Sequence, residues 1–251
     1  LHDHAGETEV HLEEAYVETM GLPAGWGVRA GRFFSGVGYL NGIHPHAWDF
    51  ADEPLAYRAF LGQQYFDDGV QVRWLAPTEL FLEFGAEALR GARFPAGGAE
   101  GSEPGSYSLF AHLGGDMGLS HAWRVGLSHL WADSKARGGA DHDHGDGAAH
   151  GISFTGDSDL TILDLVWKWA PDGNPRRRNL VLQAEHFWRD EEGMLTEGEV
   201  ESGSYSGSQR GWYAQAVYQF MPRWRAGMRY DRLTSNNRGD NATLLDEAGL
   251  L

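Results

Sequence analysis

In the stretch "SYSLFAHLGGD", Tyr107, Leu109, Ala111 and Leu113 alternate with Ser108, Phe110, His112 and Gly114. A period of two places the first set on one face of a β-strand. A short turn later, "HAWRVGLSHLW" sets Trp123, Val125, Leu127, His129 and Trp131 against Arg124, Gly126 and Ser128, which predicts a hairpin. The same alternation recurs around Pro77-Thr78, where Val70, Val72 and Trp74 oppose Gln71 and Arg73, and Leu80, Leu82, Phe84, Ala86 and Ala88 oppose Glu83 and Glu87. Around Met221-Pro222, Trp212, Ala214, Ala216, Tyr218 and Phe220 continue into Trp224, Ala226, Met228 and Tyr230, opposite Arg225, Arg229 and Asp231.

This grammar predicts ten strands, near 8–20, 25–33, 68–75, 79–89, 106–116, 121–132, 159–170, 178–190, 209–220 and 223–233. A soluble sandwich would also alternate, and three features separate the two. The segments reach the length of a tilted transmembrane strand. Aromatic residues gather at strand ends, as interfacial girdles do. Short turns alternate with long polar excursions near 34–66, 90–105, 132–158, 190–208 and from 234 onward. The expected fold is therefore all-β, a single antiparallel transmembrane β-barrel domain over 1–251, in the bacterial outer membrane and bounded by its lipid. The end "LTSNNRGDNATLLDEAGLL" lacks a terminal aromatic strand, and no signal peptide opens the chain. On that ground the sequence reads as a piece of a larger barrel, truncated at both ends.

Composition narrows the partners. With 36 acidic and 20 basic residues, a net charge of −16, the chain lacks the basic face a nucleic acid needs and attracts cations instead. Cysteine is absent, so any metal must be held by nitrogen and oxygen ligands. Lys135 and Lys168 are the only lysines, while Gly at 35 and Trp at 10 fit β-structure rich in turns. No apolar run reaches the roughly 20 residues of a membrane-spanning helix.

The polar sides of the strands carry Glu14, Glu18, Arg29, Arg73, Glu83, Glu87, Arg124, Asp164, Lys168, Glu185, Arg225, Arg229 and Asp231. These are the expected pore-lining residues, either a mutually satisfied lumen or a selectivity ladder. The mixed signs and scarce lysines favour cations over anions. The longest loop, 34–66, is the natural one to fold inward as a constriction. Its "HPHAWDF" sets His44 and His46 about a proline that favours extended geometry, with Asp49 following as a candidate third zinc ligand. Packing of the loop by His44 and Trp48 is the competing reading.

The tract "GADHDHGDGAAHG" at 139–151 carries His142, His144 and His150 among Asp141, Asp143 and Asp146. Imidazole and carboxylate suit zinc. The glycine and alanine spacers cost about 1 kcal/mol or more per residue to order, so weak, exchangeable capture is expected. It needs neutral imidazoles and should fade below about pH 6. The alternative is a solvated acidic loop. His2 and His4 form a second such cluster.

The segments "GWGVRAGRFFSGVGYLN", "HPHAWDFADEPLAYRAFLG", "DDGVQVRWLAPT", "FTGDSDL" and "YQFMPRWRAGMRYDRL" resemble porin-type outer-membrane proteins. More closely, the chain resembles the zinc-regulated, TonB-dependent-receptor-like outer-membrane proteins of the phosphate-selective porin superfamily. That resemblance implies a Gram-negative outer-membrane barrel with more strands and an association with zinc supply. It leaves open a receptor without its plug or a plug-free porin, and a homotrimer as one assembly.

The expected function is passage of small hydrophilic solutes, above all a divalent metal such as zinc, through a porin-like channel or receptor. The alternatives are an anion (phosphate)-selective or general porin, and a barrel-anchored surface metal-binding or adhesive protein. No organic cofactor is expected. No G-x-S-x-G or H-E-x-x-H motif appears, and Ser128 and His129 point to opposite faces of one strand, so catalysis is not expected.

Overall fold

The computed structural model describes residues 12–97, 103–138, 151–198 and 201–250, together with the backbone of the two-residue strands Asp3–His4 and Glu7–Thr8, which pair with each other. Ten strands form one antiparallel sheet in strict sequence order: β1 Ala15–Glu18, β2 Trp26–Phe34, β3 Phe66–Leu75, β4 Phe81–Leu89, β5 Ser106–Met117, β6 His121–Gly138, β7 Ile152–Trp169, β8 Asn179–Glu197, β9 Glu201–Met221 and β10 Trp224–Gly239. Among the described residues the sheet is open, with β1 and β10 at its edges. Two short helices complete the fold, α1 Leu55–Leu61 and α2 Ala242–Glu247.

Nine expected strands are present within a few residues at their turn ends, and the first shrinks to Ala15–Glu18. The larger correction lies at the other ends. The excursions expected at 132–158 and 190–208 are mostly strand, since β6 runs to Gly138, β7 begins at Ile152, β8 runs to Glu197 and β9 begins at Glu201. The region after 234 is likewise strand to Gly239 and then α2. Polar residues occupy both faces there, with Ser158, Gln209 and Tyr205 inside and Asp157, Asp159, Ser206 and Ser208 outside, so apolar alternation carries no signal although the ladder continues.

The two faces of the sheet differ. One, here the inner face, is covered by the segment between β2 and β3, which packs Val37, Leu40, Ala56, Tyr57, Phe60, Leu61 and Tyr65 against Leu89, Leu130, Leu160, Ile162, Phe187 and Tyr213. A smaller core on the same face sets Leu244 and Leu245 of α2 against Phe154, Leu195 and Tyr205. Asn241 caps α2 by accepting from the amides of Thr243 and Leu244.

The outer face is uncovered and apolar near the turns. Val70, Val72, Phe84, Leu109, Leu113, Leu127, Leu163, Leu165, Leu182 and Met228 are all exposed there. Aromatic residues border this band on both sides. Trp26, Trp74 and Phe84 neighbour one another across β2 to β4 near the turns, with Trp123 opposite Trp167 on β6 and β7. Tyr107 opposite Trp131, then Trp188, Trp212 and Tyr230, form the far row. Trp123 to Trp131 covers eight steps of β6, about 26 Å along the strand at roughly 3.3 Å per residue. Beyond the far row the outer face turns to Asp133, Asp159, Asp190, Arg210 and Arg232.

Candidate functional site

The site is the inner face and the segment seated on it. The sequence "SGVGYLNG" at 35–42 can lie close to the strands because its glycines carry no side chain: a Cβ on Gly36 would overlap the Phe110 ring, and one on Gly38, whose φ is +68°, would meet Glu185 and Tyr57. Two buried carboxylates hold it. Glu87 on β4 accepts from Ser35 Oγ at 2.5 Å and the Gly36 amide at 2.9 Å, and from Gln71 at 2.6 Å and Ser108 at 2.5 Å. Glu185 on β8 accepts from the consecutive amides of Tyr39 and Leu40, each at 3.0 Å, from Tyr57 at 2.9 Å and from Tyr213 at 2.5 Å. Every oxygen is met by donors, which is what allows these carboxylates to be buried. Burial, then the charge of Glu185, pushes the Tyr57 phenol well above its ordinary range, so it stays a donor. Asn41 closes the loop on itself, donating to the Ser35 and Tyr65 carbonyls and accepting from the Tyr65 amide.

The segment then crosses to the far edge of the sheet. Asp49 accepts from Arg225 at 2.5 Å, Asp52 from Arg229 at 2.8 Å, and Asp231 from the Leu55 amide at 2.9 Å. Strands β2 and β3 are thus tied to β10 through the inner face. Glu18 forms ion pairs with both Arg29 and Arg73, and Glu83 pairs with His112 at 3.1 Å. Arg124 lies 4.0 Å from Asp164, and Lys168 lies 5.8 Å from the centre of the Tyr39 ring. Between the turn-side strands and residues 34–43 is a cavity of about 380 Å³ lined by Arg29, Arg73, Glu83, His112, Arg124 and Tyr39.

Of the thirteen expected lining residues, the twelve on strands therefore meet one another or the segment on one face, and Glu14, before β1, reaches His44 Nε2 of that segment at 3.0 Å. The proposed histidine pair is together, with His44 and His46 stacked at 5.5 Å. Asp49 is not with them. It is drawn to Arg225, and Glu13 and Glu14 flank His44 in its place. Trp48 packs the loop, its indole donating to the Ile43 carbonyl at 2.7 Å. Among the described residues no three His, Asp or Glu side chains gather as a metal site. Asp141, His142, Asp143, His144 and His150 lie outside the described residues, as does His2, and only the backbone of His4 is described. Ser128 and His129 do part to opposite faces: Ser128 is buried and accepts from the Gly38 amide, while His129 faces outward beside Thr161.

Sequence reasoning passed over Tyr57, Tyr213, His112, Gln71 and Asn41. Tyr213 and Phe187 carried a signal: a large aromatic on the polar side of a strand implies that something packs there.

No protein-family model matches the chain. An uncharacterised protein of Aquifex aeolicus (strain VF5) is 37% identical over 238 residues, covering 90% of this chain and 48% of the relative. The chain thus spans about half the length of the curated relative it matches. Among solved structures, the high-pH structure of Pseudomonas putida OprB is similar with a TM-score of 0.48 and 12% identity, over 91% of this chain and 72% of that one.

Proposed function

We propose that the protein forms part of an outer-membrane β-barrel, a porin-like channel for small hydrophilic solutes rather than an enzyme. The observation that carries this reading is the division of one sheet into an exposed apolar band between two aromatic rows and an inner face of paired charges crossed by an inserted loop. An exposed apolar band between two aromatic rows suits the hydrocarbon of a bilayer and is costly in water. In this reading the free edges of β1 and β10 are paired by further strands, of the same polypeptide or of a second copy, because hydrocarbon offers backbone groups no partners.

The finer proposal is that the solute is a divalent cation of the zinc type, concentrated outside the membrane by His142, His144 and His150 with Asp141 and Asp143. The net charge of −16 supports attraction of cations. The cluster of Arg29, Arg73 and Arg124 at the cavity favours anions as a second reading, although Glu18 balances two of its members. Conductance of the purified protein in planar bilayers tests both. Discrete steps whose reversal potential in a salt gradient has the cation sign are expected; the anion sign selects the second reading, and a reconstituted protein without steps removes the channel.

A further inference from the structure

The cavity beside residues 34–43 is lined by three guanidiniums, those of Arg29, Arg73 and Arg124, and by one carboxylate, that of Glu83. The other acidic partners of the arginines stand outside the lining. Glu18 is shared: one oxygen accepts from Nε and a terminal nitrogen of Arg29, the other from a terminal nitrogen of Arg73. One carboxylate thus faces two cations. Asp164 comes only to 4.0 Å of Arg124, whose buried Nε has no hydrogen-bond partner. Glu83 is engaged by His112 Nδ1 at 3.1 Å. Arg29 and Arg73 are therefore left with a single uncompensated positive charge, and the guanidinium forks of Arg73 and Arg124 keep N–H donors unused among the described residues.

His112 adds an independent sign of a ligand. Its side chain is only 7% exposed, it lines the same cavity, and its buried Nε2 has no partner. A buried polar atom in that condition calls for a group to meet it. With Glu83 accepting from Nδ1, a proton on Nε2 makes it one more donor to whatever occupies the cavity. The rest of the wall is apolar. Phe34, Ile43 and Phe110 line it, and Phe81, 42% exposed, sets its ring on the charged face of β4. Phe81 faces Gly114, which faces Arg124, so a ring and an open guanidinium share one row with no side chain between them.

We propose that this cavity binds a small organic monocarboxylate, its carboxylate received by Arg73, Arg124 and His112 Nε2 and its carbon body laid against Phe81 and Phe110. The planar fork of a guanidinium matches a carboxylate. The single surplus charge selects a ligand with one negative charge, and the aromatic wall selects a carbon body over a strongly hydrated inorganic anion, which would lose its water against Phe81 and Phe110 without replacement. At about 380 Å³ the space is of the size that takes a small molecule. Passage of such a solute rests on the second, anion-selecting reading of the channel; the binding does not.

Calorimetric titration of sodium benzoate into the detergent-solubilised protein tests the site, with benzyl alcohol as the uncharged comparison and inorganic phosphate as the anion without a carbon body. One benzoate event is expected, tighter than either comparison, weakened about tenfold in Arg124→Gln and in Arg73→Gln and several-fold in Phe81→Ala. The three variants leave the packing in place: Arg124 donates no hydrogen bond among the described residues, Glu18 keeps both bonds from Arg29 when Arg73 is replaced, and the Phe81 ring is exposed. Benzoate heats that are absent in the parent, or unchanged in Arg124→Gln and Arg73→Gln, overturn the proposal, and so does phosphate that binds as tightly as benzoate. In bilayers, half-block of chloride current by benzoate should need about tenfold more of it in Arg124→Gln; equal block overturns the placement of the site in the path. A protein that binds benzoate through Arg124 yet gives no conductance steps sustains the site and removes the channel reading.

Discussion

The turn-side and loop-side halves of strands β6 to β10 are continuous ladders built on opposite logic. On the turn side the outer face is Leu, Val, Ala and Trp, while the inner face is charge or the packed segment. On the loop side the outer face is Asp, Ser, Arg and Asn, and the inner face holds the smaller core under α2. The ladder hydrogen bonds run through both halves without a break on β8 and β9. Strand geometry is therefore indifferent to what surrounds it, and the outward residues alone decide whether a stretch suits hydrocarbon or water.

The comparison can be broken most severely from inside. Glu185→Leu strands two amides and two phenols and should cost on the order of 4 kcal/mol, since unpaired buried donors cost about 1–3 kcal/mol each and some recover water. The seated segment should release, seen as a larger unitary conductance and as faster tryptic cleavage at the exposed Arg58. An unchanged conductance would show that the segment holds without its clamp. Next in size, Leu165→Arg in the middle of the apolar band should lower stability in lipid vesicles by about 2–4 kcal/mol in urea unfolding. The same substitution at Ser206, outward on the loop side, should stay within about 0.5 kcal/mol. Equal costs at the two positions would erase the division between the halves.

How much of this was legible follows from the same division. Apolar alternation marks a strand only where one face meets an apolar medium, so the turn-side halves and the charged inner positions could be read directly. The loop-side half of β9 reads "ESGSYSGSQR", polar on both faces, and without that contrast its strand is hidden. The segment between β2 and β3 was legible by length. Its clamp was not, because Glu87 and Glu185 bond to amides more than 50 residues away in sequence, and such partners leave no local trace. Asp49 shows the opposite hazard: closeness to His44 in sequence suggested a shared ligand set, whereas Arg225 on the far edge claims it.

A finer test uses light. With one tryptophan retained at a time, Trp123 and Trp131 should be quenched most by lipids brominated near the glycerol level, and Trp48, held inside by Ile43, far less. Strong quenching of Trp48 would turn the sheet inside out. The smallest effect is expected at the rim, where Arg210→Ala should change stability by less than about 0.5 kcal/mol.

The bonds from Leu55 to Asp231 and from Arg229 to Asp52 join residues 176 and 177 positions apart. A strut that spans this much sequence cannot seat until the last strands exist, because loop closure must precede the contacts that reward it. Synthesis from the N-terminus thus supplies the strut long before its socket. An intermediate that has made only its first strands carries Tyr57, Phe60 and the Gly36 to Leu40 amides with nothing to receive them.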